Sequence, residues 1–224
     1  MVLDIYFFYR NMGIQVPEFI LTLQCFKRVN NKIIFKMRTL QEELKCMREG
    51  LHYDAHTPEM YAYRAEVKKK LHQLNVTEYH TSKMPEVTRS LFPNSAPDFF
   101  VEPPFYCDYG DGIYAAEGVF INFGAVILDG AKVTIGRKTL IAPGVHIYTA
   151  QHPLDADERD AYENCLPVTI GERCWIGGHA TICPGVTIGD RCVIGAGSVV
   201  THDIPADSLA VGNPAKVIRK LNQK

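Results

Sequence analysis

Aliphatic residues recur at every sixth position through the second half of this 224-residue chain: Ile170, Ile176, Ile182, Ile188, Ile194 and Val200. Shorter runs keep the same spacing at Ile121, Ile127 and Val133, and again at Ile135, Ile141 and Ile147. A helix repeats its buried face every 3.6 residues and a strand every two, so neither gives this period. A triangular coil does. Each hexad makes one side, three hexads close one turn, and the aliphatic side chains stack inside as ladders. The position four after each aliphatic residue holds Thr139, Val145, Cys174, Ala180, Val186, Cys192 and Ser198. All are small, as a tight corner demands. Glycine follows the aliphatic residue at Gly136, Gly171, Gly177, Gly189 and Gly195, where it is expected to supply unusual backbone torsions. Each coil can bury its face only against its neighbours, so several must stack for stability. The period does not fix the hand of the coil.

The first part of the chain reads differently. Residues 1–36 are expected to be a weakly ordered N-terminal extension or an artefact of start-site choice, with a partner-binding or membrane-touching helix as the alternative. Residues 37–104 form a helical segment and a connector. Leu40, Leu44 and Met47 share one helical face, and Gly50 is a C-terminal breaker. Thr57 suits an N-cap and Pro58 the first helical position. Tyr63, Val67, Lys70, Leu71 and Leu74 follow as a stripe that Asn75 ends. Pro85, Pro93, Pro97, Pro103 and Pro104 make long regular elements improbable over 76–104. Residues 105–224 are the coiled domain, with an excursion at 148–169 and a C-terminal tail.

Charge and cysteine usage narrow the function classes. A net charge of −1 argues against a general nucleic-acid binder. The apolar stretch Ile14 to Phe26 is interrupted by Gln15, Pro17, Glu18 and Gln24, too short to span a bilayer, and lacks a cleavage signal. Seven cysteines, an odd number without a framework, point to reduced thiols and a cytoplasmic setting. Cys25, Cys46 and Cys107 are isolated, which disfavours zinc held by thiolates, and no metal is expected.

The repeat breaks once. Hexads run to Ile147 and resume at Ile170, and the charged residues between them include Asp155, Asp157, Glu158, Arg159, Asp160 and Glu163. A loop thrown out of a rigid solenoid is a natural place for function. His152 stands at its base.

Several separate stretches together resemble the maltose and galactoside O-acetyltransferases of the hexapeptide-repeat family. They are Leu51-His52-Tyr53-Asp54 with Pro58-Glu59 and Arg64, Val119-Phe120-Ile121-Asn122-Phe123, Val126-Ile127-Leu128-Asp129, and Ala150-Gln151-His152-Pro153. Pro167-Val168-Thr169-Ile170-Gly171, Trp175-Ile176-Gly177, Gly195-Ala196-Gly197-Ser198, Asp203-Ile204-Pro205 and Gly212-Asn213-Pro214-Ala215 complete the match, which covers residues 38–221. The resemblance implies a mainly β fold, a left-handed parallel β-helix with an N-terminal α-helical segment. It also implies a homotrimer with sites at the subunit interfaces, acetyl-coenzyme A as co-substrate, and a sugar hydroxyl as acceptor. One departure is visible: Gly124 stands where many relatives have Asn after Ile-Asn-Phe, which bears on the acceptor pocket.

The resemblance also assigns roles. A sugar hydroxyl is a weak nucleophile, so a base that works near neutrality is required, and histidine, with an unperturbed pKa of about 6.5, suits it. His152 would be that base, in a direct transfer without an acetyl-enzyme, and Asn122 would bind at the reacting centre. Asp54, Arg64 and Asp129 would bind sugar hydroxyls, Phe120 would line the pocket, and Glu163 would orient His152. Trp175, Gly178, Ala196 and Thr201 would flank the pantetheine arm, with the Gly178 N–H a candidate oxyanion donor. Lys216 and Arg219 would meet the nucleotide phosphates. Alternatives are a Cys165 nucleophile, another acceptor (serine, an antibiotic or a nucleotide-sugar), a zinc site built from His146, His152 and His179 as in carbonic anhydrases, or a non-catalytic β-helix protein.

Overall fold

The computed structural model describes residues 26–29, 32–35, 38–77, 84–159 and 163–221. The chain divides into two units, residues 1–42 and 43–224. In the first, Phe26–Val29 pairs antiparallel with Lys32–Phe35. Most of the expected extension at 1–36 lies outside the described residues.

The helical segment begins with α1 (Leu40–Arg48). Gly50 ends it in the left-handed conformation, φ 74°, and the Leu51 N–H donates back to the Cys46 carbonyl at 2.9 Å. The next helix, α2, spans Pro58–Val76; the Thr57 hydroxyl accepts from the Met60 N–H at 3.2 Å and Pro58 occupies a position that needs no donor. Met60, Val67, Leu71 and Leu74 form its buried stripe. Asn75 does not end α2. Its amide instead clasps Phe105, donating to the carbonyl and accepting from the N–H, both at 2.9 Å. The connector holds a helix that its prolines argued against: α3, Met84–Leu91. Pro85 stands in its first turn, where no intrahelical N–H is missed, and Val87 and Leu91 supply the buried face.

From residue 100 the chain winds as a three-sided parallel β-helix. The first face stacks Phe100–Val101, Phe120–Ile121, Leu140–Ile141, Trp175–Ile176, Val193–Ile194 and Ser208–Val211, closed by the antiparallel strand Lys216–Lys220. The second stacks Tyr106–Cys107, Val126–Leu128, His146–Tyr148, Thr181–Ile182 and Val199–Val200. The third stacks Ile113–Ala115, Val133–Ile135, Val168–Ile170 and Thr187–Ile188. The hexad aliphatics fill the prism, and the small residues four positions later line its inner corners, buried as well. One continuous core joins this interior to α2 and α3. Phe92 packs edge-on against Phe99 and Phe105, at 5.2 and 5.4 Å between ring centres, so the helices plug the open end of the prism.

The glycines after the aliphatic residues serve a different purpose from the one expected. Gly136, Gly171, Gly177, Gly189 and Gly195 do not have positive φ. A Cβ on Gly177 would lie 2.6 Å from the Ala196 nitrogen and 2.7 Å from the Ile194 carbonyl oxygen on the next coil. Close backbone approach, not torsion, excludes a side chain there. Left-handed torsion is instead concentrated at the corners, at Gly124, Gly144 and Gly197, and at His179 with φ 56°. Gly124 is left-handed, φ 73°, a conformation that glycine and asparagine tolerate best.

Candidate active site

The excursion leaves and rejoins the prism at the corner between the second and third faces. Its base is an antiparallel pair, Ala150 opposite Cys165 and Gln151 opposite Asn164. His152 and Glu163 are the residues next beyond that pair in the chain. Glu163 also bridges to Tyr53, the turn between α1 and α2: the Tyr53 N–H donates to its carbonyl at 3.4 Å and the Tyr53 hydroxyl to its carboxylate at 3.0 Å. Tyr53 is buried, and desolvation pushes its phenol far above the ordinary range, so it remains a donor. The helical segment is thereby fastened to the base of the His152 loop. The His152 side chain is exposed.

The same fastening collects polar groups. Asp54 is exposed and one carboxylate oxygen accepts from the His56 N–H at 2.8 Å. Arg64 is half-buried, donates to the Ala55 carbonyl at 2.6 Å and the Tyr109 hydroxyl at 3.3 Å, and covers the Tyr61 ring at 5.0 Å. Burial pushes the Tyr109 phenol up to about 12. Asp108, which the sequence reading does not single out, is half-buried within electrostatic reach of Lys68, Arg64 and Glu163. Desolvation raises its pKa, against the pull of the two cations. Only the fold reveals it, because its neighbours come from α2 and from the excursion.

Asp129 is a correction. It was expected to meet sugar hydroxyls, yet its side chain is fully buried. One oxygen accepts from the N–H groups of Asp108 and Tyr109 at 3.1 and 2.9 Å, the other from Gly112 at 3.0 Å. Its carboxylate folds the 108–112 turn and is closed to a ligand. Burial pushes its pKa up to about 6 despite those bonds. Arg48 closes the arrangement, donating to the carbonyls of Asp129 and Gly130 and pairing with Asp111.

A second group of residues gathers along the corner between the first and second faces. The Asn122 side-chain oxygen accepts from the Phe123 N–H at 2.9 Å, which orients the amide and leaves its NH2 as a donor. Two coils on, Gly178 lies in this corner, and its carbonyl accepts from the Gly197 N–H at 2.9 Å, beside Ala196. On the adjoining first face, strand register aligns Phe100, Phe120, Leu140, Trp175, Val193, Leu209 and Arg219 in one outward column. Phe120 stacks on Phe100 at 5.6 Å with planes parallel to 1°. Trp175 is 56% exposed and Leu140 49%. Lys216 is exposed opposite Val211 on the closing strand. Thr201 is exposed in the other corner, that of His152, with its hydroxyl 2.8 Å from the His202 ring.

One chain therefore brings the candidate residues onto two edges of the second face. His152, Glu163 and Thr201 share one edge, with Asp54 and Arg64 attached to it. Asn122, Gly178 and Ala196 share the other, and Phe120, Trp175 and Arg219 lie beyond it. His146, His152 and His179 do not converge. His146 bonds Tyr148 at 2.5 Å on the second face, and His179 covers Gly144 at the Asn122 corner. Among the described residues, no three His, Cys, Asp or Glu side chains group as a metal site. Cys165 is buried, and desolvation raises its thiol above the ordinary value, the wrong environment for a nucleophile.

Comparison with known proteins agrees with this architecture. A family profile described as the hexapeptide repeat of succinyl-transferase matches residues 167–202. YJL218W of Saccharomyces cerevisiae, named as an acetyltransferase, is 49% identical over 78% of this chain and 91% of its own length. The chain belongs to the hexapeptide-repeat acetyltransferases. Among solved members, a maltose O-acetyltransferase from Clostridium difficile 630 superimposes with a TM-score of 0.78 at 42% identity, covering 81% of this chain and 98% of that one. A galactoside acetyltransferase in complex with coenzyme A gives 0.75 at 35% identity, covering 84% and 92%. This acetyltransferase thus shares its overall architecture with both.

Proposed function

We propose that this acetyltransferase moves the acetyl group of acetyl-coenzyme A onto a hydroxyl of a sugar, with His152 as general base. The observation that carries the reading is the Tyr53–Glu163 bridge at the base of the His152 loop. It ties the segment that carries Asp54 and Arg64 to the loop that carries the exposed His152, with Asp108 in electrostatic reach of Arg64 and Glu163. A polyhydroxylated acceptor suits that mixture of carboxylates and guanidinium, whereas an apolar or singly functional acceptor would leave those groups unpaired.

In the reaction, His152 takes the hydroxyl proton as the oxygen attacks the thioester carbonyl. The tetrahedral intermediate carries an oxyanion, for which the Asn122 NH2 and the Gly178 N–H are donors. Collapse breaks the carbon–sulfur bond, and the imidazolium returns the proton to the departing thiolate. Glu163, held by Tyr53, positions His152. Trp175, Ala196 and Thr201 flank the pantetheine arm, and Lys216 and Arg219 take the phosphates. Because the His152 and Asn122 groups line different edges of one prism, a homotrimer in which neighbouring chains bring these edges together would complete the site, and the isolated chain would be inactive. No metal takes part in these steps.

The test is His152→Ala, assayed by coenzyme A release with glucose, maltose and a galactoside. Turnover should fall at least about a hundredfold with oligomeric state unchanged. Undiminished turnover would exclude His152 as the base.

A further inference from the structure

Cys174 and Cys192 are buried free thiols on neighbouring coils, and acetyl transfer does not use them. Cys192 follows Cys174 by three hexads, so both stand at the same inner corner of the prism. Backbone bonds bracket the pair: the Trp175 N–H donates to the Cys192 carbonyl at 2.9 Å, and the Arg191 N–H to the Glu172 carbonyl at 2.8 Å. The Cys174 Sγ reaches towards the coil of Cys192, 3.2 Å from the Gly189 carbonyl oxygen, and the two thiols share a side-chain hydrogen bond. Thr139 and Ser208 hold the same corner on the coils to either side. Their hydroxyls likewise donate to backbone carbonyls, at 2.8 and 3.3 Å. A hydroxyl therefore suffices to fill this corner and make its bond. What sulfur adds, on two coils side by side, is redox chemistry.

We propose that Cys174 and Cys192 form a reversible disulfide inside the prism, a modification site whose oxidant is a peroxide. Adjacent strands lie about 4.8 Å apart, within the Cα separation of about 4.4–6.8 Å that a disulfide spans. Cβ atoms at that spacing stand wider than the separation of about 3.8 Å that a relaxed disulfide prefers. The bond is therefore strained and readily reduced, as regulatory rather than structural disulfides are. Cys192 reacts first. The hydrogen bond from Cys174 lowers its pKa below the ordinary thiol value, against the cost of burial, and the Ser208 N–H and the Lys220 charge add to the effect. The Cys192 thiolate attacks one peroxide oxygen and the O–O bond breaks. The second oxygen leaves as hydroxide and takes up the thiol proton as water, so Cys192 becomes a sulfenic acid. The Cys174 sulfur then attacks the Cys192 sulfur, which turns away from the Pro205 carbonyl oxygen that it meets at 3.2 Å. The S–O bond breaks, and hydroxide departs as water with the Cys174 proton. Two thiols lose two electrons and the peroxide gains them. Access comes from the end of the prism. Among the described residues, the first face continues beyond the Cys192 coil only through Ser208–Val211 and the closing strand, and end elements open most readily.

The experiment treats the full chain with hydrogen peroxide and compares wild type with Cys174→Ser and Cys192→Ser. Peptide mapping without reductant should join the Cys174 and Cys192 peptides within one chain, with the mass lowered by two hydrogens. Dithiothreitol should reverse it. Trp175, the one tryptophan of the chain and the residue after Cys174, supplies the time course, because a nearby disulfide quenches indole fluorescence. Wild-type emission should fall on oxidation and recover on reduction. In Cys174→Ser the Cys192 sulfenic acid has no partner, so dimedone should label it at least about tenfold more than in wild type. Cys192→Ser should show neither cross-link nor quenching. Should either variant fail to fold, the wild-type cross-link still decides. Both thiols free to alkylate in denaturant after peroxide would overturn the proposal. So would a cross-link from either one to another cysteine or another chain, or Cys192 oxidised to the sulfinic acid with Cys174 still free.

Discussion

Replacing Asp129 by Asn separates a folding role from a ligand role. The carboxylate accepts three buried backbone N–H groups, two on one oxygen and one on the other. An Asn can keep the Asp108 and Tyr109 bonds on its single oxygen. Its NH2 then faces the Gly112 N–H, donor against donor, and leaves one buried N–H without a partner at a cost of about 1–3 kcal/mol. Acidity supplies a second signature. Burial raises the Asp129 pKa to about 6, above the unfolded value of about 3.9. A raised carboxylate contributes stability that is fully present below the unfolded pKa and is lost as pH rises through the folded pKa. Wild type should thus gain on Asp129→Asn as pH falls from 7, by somewhat over 1 kcal/mol at pH 5 and about 2 kcal/mol at pH 4. Urea unfolding of both proteins at pH 7 and pH 5 measures the gap at each pH. A gap that stays constant or narrows on acidification would refute the raised pKa, in which burial outweighs the three N–H bonds. So would an Asp129→Asn variant of undiminished stability whose acceptor KM has risen tenfold, because that carboxylate would be facing the sugar.

Two further substitutions test the frame and the reacting centre. Gly177→Ala drives a Cβ into rigid backbone of the next coil; it should cost about 3 kcal/mol, in the overpacking range, read as a lowered thermal midpoint, and a neutral result would deny the close approach of coils. Asn122→Asp keeps the oxygen that accepts the Phe123 N–H but replaces the NH2 donor with an acceptor. Turnover should fall about a hundredfold with the melting temperature little changed, and retained turnover would remove Asn122 from the oxyanion.

The six-residue period and the small residue four positions on are local steric facts, and they determined the prism without help. Ile176 and Ala180 announce an inward side and a tight corner whatever lies above or below them. The interruption that exposes His152 was legible for the same reason, as was Thr57 at the start of α2. The short helix α3 was not, because proline counts against a helix only beyond its first turn, and Pro85 stands within it. The roles of the hexad glycines, of Asp129 and of Asp108 were decided by neighbours on other coils. The glycine needs no special torsion of its own, and the acids carry no periodic signal. Which coil lies above which depends on how many residues each turn spends. The excursion makes that count irregular, so that Leu140 pairs with Trp175 across it. A side chain's solvent, charge and hydrogen-bond partners come from that stacking. Tertiary structure alone could turn one expected sugar ligand into a buried turn-former and bring Tyr53 and Glu163 together at the base of the His152 loop.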